Sequence, residues 1–423
     1  MTSRIGKHIS DKDRAAIDVR LRLGESVAGI ARALGYSRNT VAERKRLLGM
    51  ATEGPAKAPA SAQIGGSPRD REIIRLRDEV ARLTRSLKEA HREALSEEAM
   101  RILLGRIAAA PATPPEWMID PAKAGGGRTQ EVPAMIWSDW HYGERVSRAE
   151  TNGLNAYDPE IAKARVRRLV GSTIHLARHH GPGDYPGAVL NLLGDFVSGG
   201  LHPELAKTDV EEAIPAALQV RDLLIWAIDE MLGAFRRLYV PCAAGNHGRA
   251  TPKPEHKRYV FKNFDWLIYQ LLARHYEGVR EIVFDIPEAN EVHYRIYGQR
   301  YLAMHGDMLG VKGGDGIIGA IGPIMRGEVK TRGQATSSGR DYDVLLMGHW
   351  HQELWLPRAI VANSVKGFDE FAKNALRAPP SEPSQPLWFV HPRRGITSRW
   401  NVRVEEPRGA QAKEWVSWKG QAA

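Results

Sequence analysis

Cysteine is almost missing from this chain. A single residue, Cys242, stands among 423, which excludes an internal disulfide and any metal site built from thiolates alone. It lies in an apolar run and is expected to be a buried structural thiol. Long hydrophobic stretches are missing too. No run approaches the roughly 20 apolar residues of a membrane span, and the N-terminus carries no signal-peptide pattern. A soluble, cytoplasmic protein with no membrane partner is expected. No internal repeat is evident, and at 423 residues with 43% hydrophobic content the chain should form two or three units around a sizeable core.

Acidic excess is also absent, and its opposite is unevenly spread. The formal charge is +10, and residues 1–110 carry 22 Lys+Arg against 14 Asp+Glu, hence +8 of it. A basic N-terminal quarter suits a polyanionic partner such as DNA or RNA.

Residues 11–48 read as three short helices. The first runs from Asp11 to Leu23 and stops at Gly24. The second starts at the capping Ser26 and carries Val27, Ile30, Ala31 and Leu34 at helical spacing until Gly35. Ser37 then caps a third helix with Val41 and Leu48 on one face. The segment Ser26 to Val41 resembles the helix-turn-helix of resolvases, transposases and small phage regulators. In that family the third helix enters the major groove, which implies Arg38, Asn39 and Thr40 at the groove-facing start, with Arg44 and Lys45 near phosphates.

The expected organisation is a helix-turn-helix domain over 1–50 and a flexible Ala/Pro/Gly-rich linker over 51–68. Over 69–106, Ile73, Leu76, Val80, Leu83, Leu87, Ala90 and Ala94 form an a/d seam of about three heptads. So narrow a seam predicts a homodimer through this coiled-coil helix, or packing back on the same chain. A second linker spans 107–131, with Pro111, Pro114, Pro115 and Gly125-Gly126-Gly127. A domain of alternating strand-length runs and helical stretches occupies 132–405, and 406–423 read as a loose tail.

Within that domain, five polar clusters each follow an apolar run of strand length. Ala134–Trp137 leads to Ser138-Asp139-Trp140-His141, and Val189–Leu193 leads to Gly194-Asp195. Leu238–Ala244 leads to Gly245-Asn246-His247, Tyr301–Met304 to His305-Gly306-Asp307, and Val344–Met347 to Gly348-His349-Trp350-His351. Polar groups at the C-terminal ends of strands converge on one rim in layered α/β architectures. Carboxylate, amide oxygen and imidazole together suit Mn²⁺, Fe or Zn²⁺ better than Mg²⁺.

Asp-x-His, Gly-Asp, Gly-Asn-His, His-Gly-Asp and Gly-His-x-His, in that order over about 132–400, resemble the calcineurin-like metallophosphoesterase superfamily. Gly199-Gly200-Leu201-His202, Gly248-Arg249, Asn263-Phe264-Asp265-Trp266 and Asn363-Ser364…Gly367-Phe368-Asp369-Glu370 resemble a phage-encoded branch of it. The resemblance implies a four-layer α/β/β/α sandwich with two divalent metal ions at one edge. One ion would be held by Asp139, His141, Asp195 and His351. The other would be held by Asp195, Asn246, His305 and His349, with Asp195 bridging. Two cations roughly 3.5–4 Å apart activate water and neutralise the charge developing on a phosphoryl group. His247 would face the leaving group as general acid or charge stabiliser.

One departure stands out. The superfamily usually has Asp or Glu directly after this histidine, and here it is Gly248, so the usual acidic orienting partner is missing nearby. Arg249 could grip phosphate, His202 could reach the substrate, and Asp307 is expected to support the ligands. His175, His179, His180, His256, His275, His293 and His391 read as structural or solvated, and Trp266 and Tyr269 as core. The expected activity is a DNA phosphodiesterase, an endo- or exonuclease of phage DNA processing. The alternatives are a phosphatase or cyclic-nucleotide phosphodiesterase localised by a DNA-binding module, or a DNA-binding regulator or packaging adaptor with secondary catalysis.

Overall fold

The computed structural model describes residues 11–22, 25–48, 111–125, 129–199, 205–251, 253–311 and 319–406. The chain divides into two compact units, Met1–Glu93 and Ala94–Ala423. The expected linker 51–68, the coiled-coil helix 69–106 with its dimer, His202, and nearly all of the tail 406–423 lie outside the described residues.

In the first unit, three helices form as capping chemistry dictates: α1 (Asp11–Arg22), α2 (Val27–Leu34) and α3 (Arg38–Leu47). The Ser26 hydroxyl accepts from the Gly29 amide at 3.1 Å, and Ser37 accepts from Thr40 at 3.2 Å, so the starts of α2 and α3 each have a donor satisfied. Between them Gly35 takes φ 73°, the left-handed geometry that ends α2. Ile17, Leu21, Ile30, Ala31, Tyr36 and Val41 make the small core.

The second unit is built on two sheets. One runs in the order β11 (Gly395–Arg403), β10 (Ser384–His391), β1 (Val132–Trp137), β2 (Ala188–Leu192), β3 (Leu238–Pro241), β4 (Ile282–Asp285). Strands β1 to β4 are mutually parallel, while β10 and β11 are antiparallel additions. The other sheet runs β5 (Glu291–Ile296), β6 (Gln299–Met304), β7 (Val344–Met347), β9 (Ala359–Val361), β8 (Leu354–Trp355), with β6, β7 and β9 parallel.

Alternation along β1 sorts its side chains into layers. Met135 and Trp137 join the cluster of helices α5 (Pro159–His179), α7 (Ala213–Phe235) and α8 (Phe264–His275), while Ala134 and Ile136 face the second sheet. Val292, Tyr294, Tyr301, Val344, Leu346 and Ile360 answer them across the interface. The far face of the second sheet buries Leu302, Met304, Leu345 and Met347 against Ile324 and Ala335 of helix α9 (Ile321–Ser337). The result is a four-layer α/β/β/α sandwich. Trp266 and Tyr269 are core residues of α8, and Cys242 is buried, its thiol pushed up by burial.

The expectation of a linker over 107–131 needs correction. Helix α4 (Glu116–Ile119) and a single 3₁₀ turn at Pro121–Lys123 pack onto the sandwich. Trp117 and Met118 enter the inter-sheet core, the Tyr297 amide donates to the Met118 carbonyl at 2.6 Å, and Arg237 lies over the Trp117 ring at 5.4 Å. The flanking prolines read as breakers, but two buried side chains are enough to fix the segment. The remaining helices are short, α6 (Leu205–Thr208) and α10 (Glu370–Asn374).

Candidate metal centre

The five polar clusters sit just beyond the C-terminal ends of β1, β2, β3, β6 and β7, and the sandwich brings them together. Three overlapping groups have donor atoms mutually within 4.8 Å: Asp139 with His141 and His351, His141 with Asp195 and His247, and Asp195 with His305 and His349. Asn246 joins them, its Oδ1 standing 3.2 Å from His305 Nε2. All seven metal-ligand candidates and His247 therefore share one site.

The loops reach it with strained backbone. Asp139, His141, Asp195, His349 and His351 have φ of 55°, 47°, 54°, 67° and 50°, a left-handed region that a non-glycine residue visits at a cost. Such strain persists only where surroundings over-determine it, and it clusters at functional sites. The neighbouring loops also touch backbone to backbone: a Cβ on Gly245 would lie 2.4 Å from the Asp195 amide nitrogen.

Hydrogen bonds fix several of the candidates. Both carboxylate oxygens of Asp139 accept from the His349 amide at 3.1 Å, and Oδ2 also accepts from the Ser138 hydroxyl at 2.6 Å. Asp195 Oδ1 accepts from the His247 amide at 2.7 Å. His305 Nδ1 donates to the Leu193 carbonyl at 2.7 Å, and its Nε2 stands 3.0 Å from Asp195 Oδ2 and 3.2 Å from Asn246 Oδ1. Burial lowers the imidazole, but the Asp195 carboxylate outweighs it and holds it well above its usual range, so a cation bound there would displace a proton. Nε2 of His141 and Nε2 of His351 face each other at 3.0 Å.

The electrostatics are those of a buried anionic pair. Asp139 and Asp195 are at most 1% exposed, and among the described residues their ion-pair partners are histidines. Burial raises both carboxyls, but the surrounding imidazoles outweigh it and hold them below the usual range. Burial pushes His349 down to about 3 and holds His141 well below its usual range, so both imidazoles are neutral and can act as ligands.

His247 is oriented without an adjacent acid. Its Nδ1 donates to the Ser198 carbonyl at 3.0 Å, and a ring nitrogen stands within 4.8 Å of donor atoms of His141 and Asp195. The ring meets His141 edge-on, centroids 4.5 Å apart. Gly248 has a steric reason to lack a side chain: a Cβ there would fall 2.5 Å from Asn263 Oδ1 and 2.9 Å from Asp265 Oδ2.

Asp265 is the residue that sequence reasoning undervalued. Fully buried, it accepts from the amides of Asp195 at 2.9 Å, Gly245 at 3.0 Å and Phe196 at 3.1 Å, tying two ligand loops together. Its only signal was its place in the Asn263-Phe264-Asp265-Trp266 run. Also unforeseen is a buried Lys366 bridging Glu144 at 3.0 Å and Asp369 at 2.5 Å, with Glu144 Oε2 3.7 Å from His141 Nδ1. Asp307 accepts from the Tyr259 hydroxyl at 3.1 Å.

The outer candidates are placed less tightly. Arg249 is half-buried, with Nε donating to the Thr251 carbonyl at 3.1 Å. In the first unit Arg38 and Asn39 are exposed, Thr40 and Lys45 half-buried, and the Thr40 hydroxyl pairs with Ser37. Arg44 is committed elsewhere: its guanidinium grips Asp18 through two bonds of 2.7 and 2.6 Å, so the expected phosphate contact competes with an intramolecular pair.

Residues 6–43 match the helix-turn-helix domain family. No curated protein matches the chain in sequence. Among solved structures, a Staphylococcus aureus protein provisionally named a 5'-nucleotidase, in complex with alpha-ketoglutarate, is 10% identical with a TM-score of 0.29. The match covers 67% of this chain and 56% of that one, so the chain spans a little over half the length of that protein. A dimetal phosphatase from Danio rerio is 8% identical with a TM-score of 0.31, covering 65% of this chain and 99% of that one.

Proposed function

We propose that the second unit is a two-metal phosphoesterase of the calcineurin-like type, and that its substrate is the phosphodiester backbone of DNA. The observation that carries this reading is donor spacing. Ligands around one cation at roughly 2.1 Å stand about 3.0–3.5 Å from each other in tetrahedral or octahedral geometry. His351 Nε2 lies 3.0 Å from His141 Nε2 and 3.3 Å from Asp139 Oδ1, and His305 Nε2 lies 3.0 Å from Asp195 Oδ2 and 3.2 Å from Asn246 Oδ1. Two buried carboxylates beside facing imidazole nitrogens need positive charge between them. The residues present therefore fit two divalent ions.

Asp139, His141, Asp195 and His351 would hold one ion, and Asp195, Asn246, His305 and His349 the other. The mixed donor set suits Mn²⁺, with Fe or Zn²⁺ as alternatives. Bound there, the ions supply Lewis-acid polarisation of the phosphoryl group and lower the pKa of the attacking water. The protein's own groups do the rest. The Leu193 carbonyl fixes the tautomer of His305, and Asp265 and Ser138 steady the two carboxylates. His247, its Nδ1 held by the Ser198 carbonyl, would face the leaving group as a charge stabiliser, or as general acid when its imidazole is protonated. A phage origin is consistent with the branch motifs, among them Gly248-Arg249 and Asn263–Trp266.

DNA is favoured by the first unit. Its helix-turn-helix match and the +8 of residues 1–110 would concentrate DNA at a tethered site. Mn²⁺-loaded protein should cleave linear, circular or single-stranded DNA, and Asp195→Asn should abolish it. Cleavage of a small phosphodiester or a phosphoprotein with every DNA form left intact would overturn the DNA assignment.

A further inference from the structure

The positive charge of residues 111–423 is not spread over that surface. These residues carry a net +2, the difference between +10 for the chain and +8 for 1–110. The 14 residues from Arg249 to Lys262 hold Arg249, Lys253, Lys257, Arg258 and Lys262 against Glu255, hence +4, so everything else in 111–423 sums to −2. A basic surface in a neutral domain has a local cause.

That excursion begins one residue after Gly248 and is fastened at its base beside His247. The Phe264 amide donates to the Gly248 carbonyl at 2.7 Å, the Ala250 amide to the Lys262 carbonyl at 2.8 Å, and Arg249 bridges to Asn263. Tyr259 pins it to the centre, its hydroxyl bonded to the Gly245 carbonyl at 3.0 Å and to Asp307 at 3.1 Å. Lys262 and Glu255 neutralise each other at 2.6 Å. Lys253, Lys257 and Arg258 are exposed, and among the described residues none of the three is in an ion pair. Arg258 has φ 56° and lies over the Phe261 ring at 5.3 Å, so its guanidinium is carried by a fixed, strained turn.

We infer that the Arg249–Lys262 excursion is a phosphate track, a surface that grips the phosphates flanking the scissile one in a polynucleotide strand. A compact phosphomonoester has no second phosphate to offer it, whereas a polynucleotide presents one at every residue. Three exposed cations on a segment fastened next to His247 suit that repeating charge. The inference rests on the phosphoesterase reading for what happens at the centre, but the binding it asserts does not depend on turnover.

The test uses the full chain and a single-stranded octanucleotide, which offers the helix-turn-helix no major groove. Binding is read by fluorescence anisotropy in the Asp195→Asn background, comparing a Lys253→Gln/Lys257→Gln/Arg258→Gln triple with an Arg295→Gln/Arg393→Gln/Arg394→Gln triple. The second set lies at the opposite end of the strands and removes equal charge. The excursion triple should weaken binding at least tenfold at low salt and flatten the salt slope by about 2, three contacts at roughly 0.7 each for single strands. In the active background it should lower the ratio of kcat/KM for octanucleotide to that for bis(p-nitrophenyl) phosphate by a similar factor. Unfolding curves confirm that each variant is folded. Equal weakening by both triples, or none by the excursion triple, overturns the track. Absence of turnover on every substrate overturns the phosphoesterase reading instead, while the anisotropy arm still decides the track.

Discussion

Asp265→Asn separates stability from metal binding, because the two effects of this substitution on stability nearly cancel. The carboxylate accepts three buried amide bonds. Asparagine offers one acceptor oxygen, so at least one N–H loses its partner at about 1–3 kcal/mol, and the surviving bonds lose charge assistance worth about 1 kcal/mol each. Against this, burial first and Asp195 second push the Asp265 carboxyl up to about 6 from 3.8. At 1.36 kcal/mol per pH unit its ionised form costs about 3 kcal/mol at neutral pH, and the amide escapes that cost. The net change at pH 7.5 should fall below about 2 kcal/mol. The sign in pH follows. A carboxyl raised in the folded state stabilises most below its unfolded value and loses that contribution as pH rises through about 6. Wild type should lose stability between pH 4 and 6 from this group, and the variant should not.

The Asp195 and Gly245 loops, by contrast, lose their shared tether, and metal affinity should fall roughly 10–100-fold. Urea unfolding of chelator-treated protein at pH 4.5 and 7.5, with calorimetric Mn²⁺ titration at pH 7.5, reads both. Wild-type affinity for both ions in the variant would refute the tether.

Gly248→Asp, which places an acid directly after His247, should destabilise the protein by more than about 2 kcal/mol, since its Cβ would overlap Asn263 and Asp265; an unchanged Tm would refute the steric account. Glu144→Gln leaves the buried Lys366 ammonium with one partner fewer and should cost about 3 kcal/mol, read by urea unfolding, and a neutral result would dismiss the network. Chelation should lower Tm in proportion to metal affinity, by the equivalent of about 4 kcal/mol when free Mn²⁺ had been at 1,000 times Kd. Asp18→Ala frees Arg44 for phosphate, so duplex affinity should rise or hold while the first unit loses little stability from this solvent-screened pair; a fall in affinity would mean that the pair itself shapes the binding face.

Much of the centre was legible because its donors are local in sequence. Asp139, Asp195, Asn246, His305 and His349 each follow an apolar run by a residue or two, so strand ends and chemistry could be read together. The helix-turn-helix was legible for a similar reason: Ser26, Gly35 and Ser37 are punctuation that acts within four residues. What stayed hidden depends on contacts far along the chain. Asp265 serves amides 70, 69 and 20 residues away, and Lys366 finds Glu144 across 222 residues. His247 takes its orientation from a carbonyl, which no side-chain pattern encodes. Arg44 looked like a phosphate contact because its helix face was visible and Asp18 was not seen as its partner. The segment at Trp117 and Met118 misled because its prolines are conspicuous and two buried side chains make no period.

The left-handed turns at five of the donors blur what alanine scanning can say about them. A methyl side chain is ill at ease in that conformation by about 1–2 kcal/mol, so truncating Asp139 or His349 both deletes a donor and invites its loop to flip into a commoner shape. Asparagine tolerates the turn and keeps a neutral oxygen in place. Exchanges to asparagine therefore report on the donor, and exchanges to alanine on the donor and the loop together; the gap between the two measures how much of each side chain's effect lies in the shape of its turn.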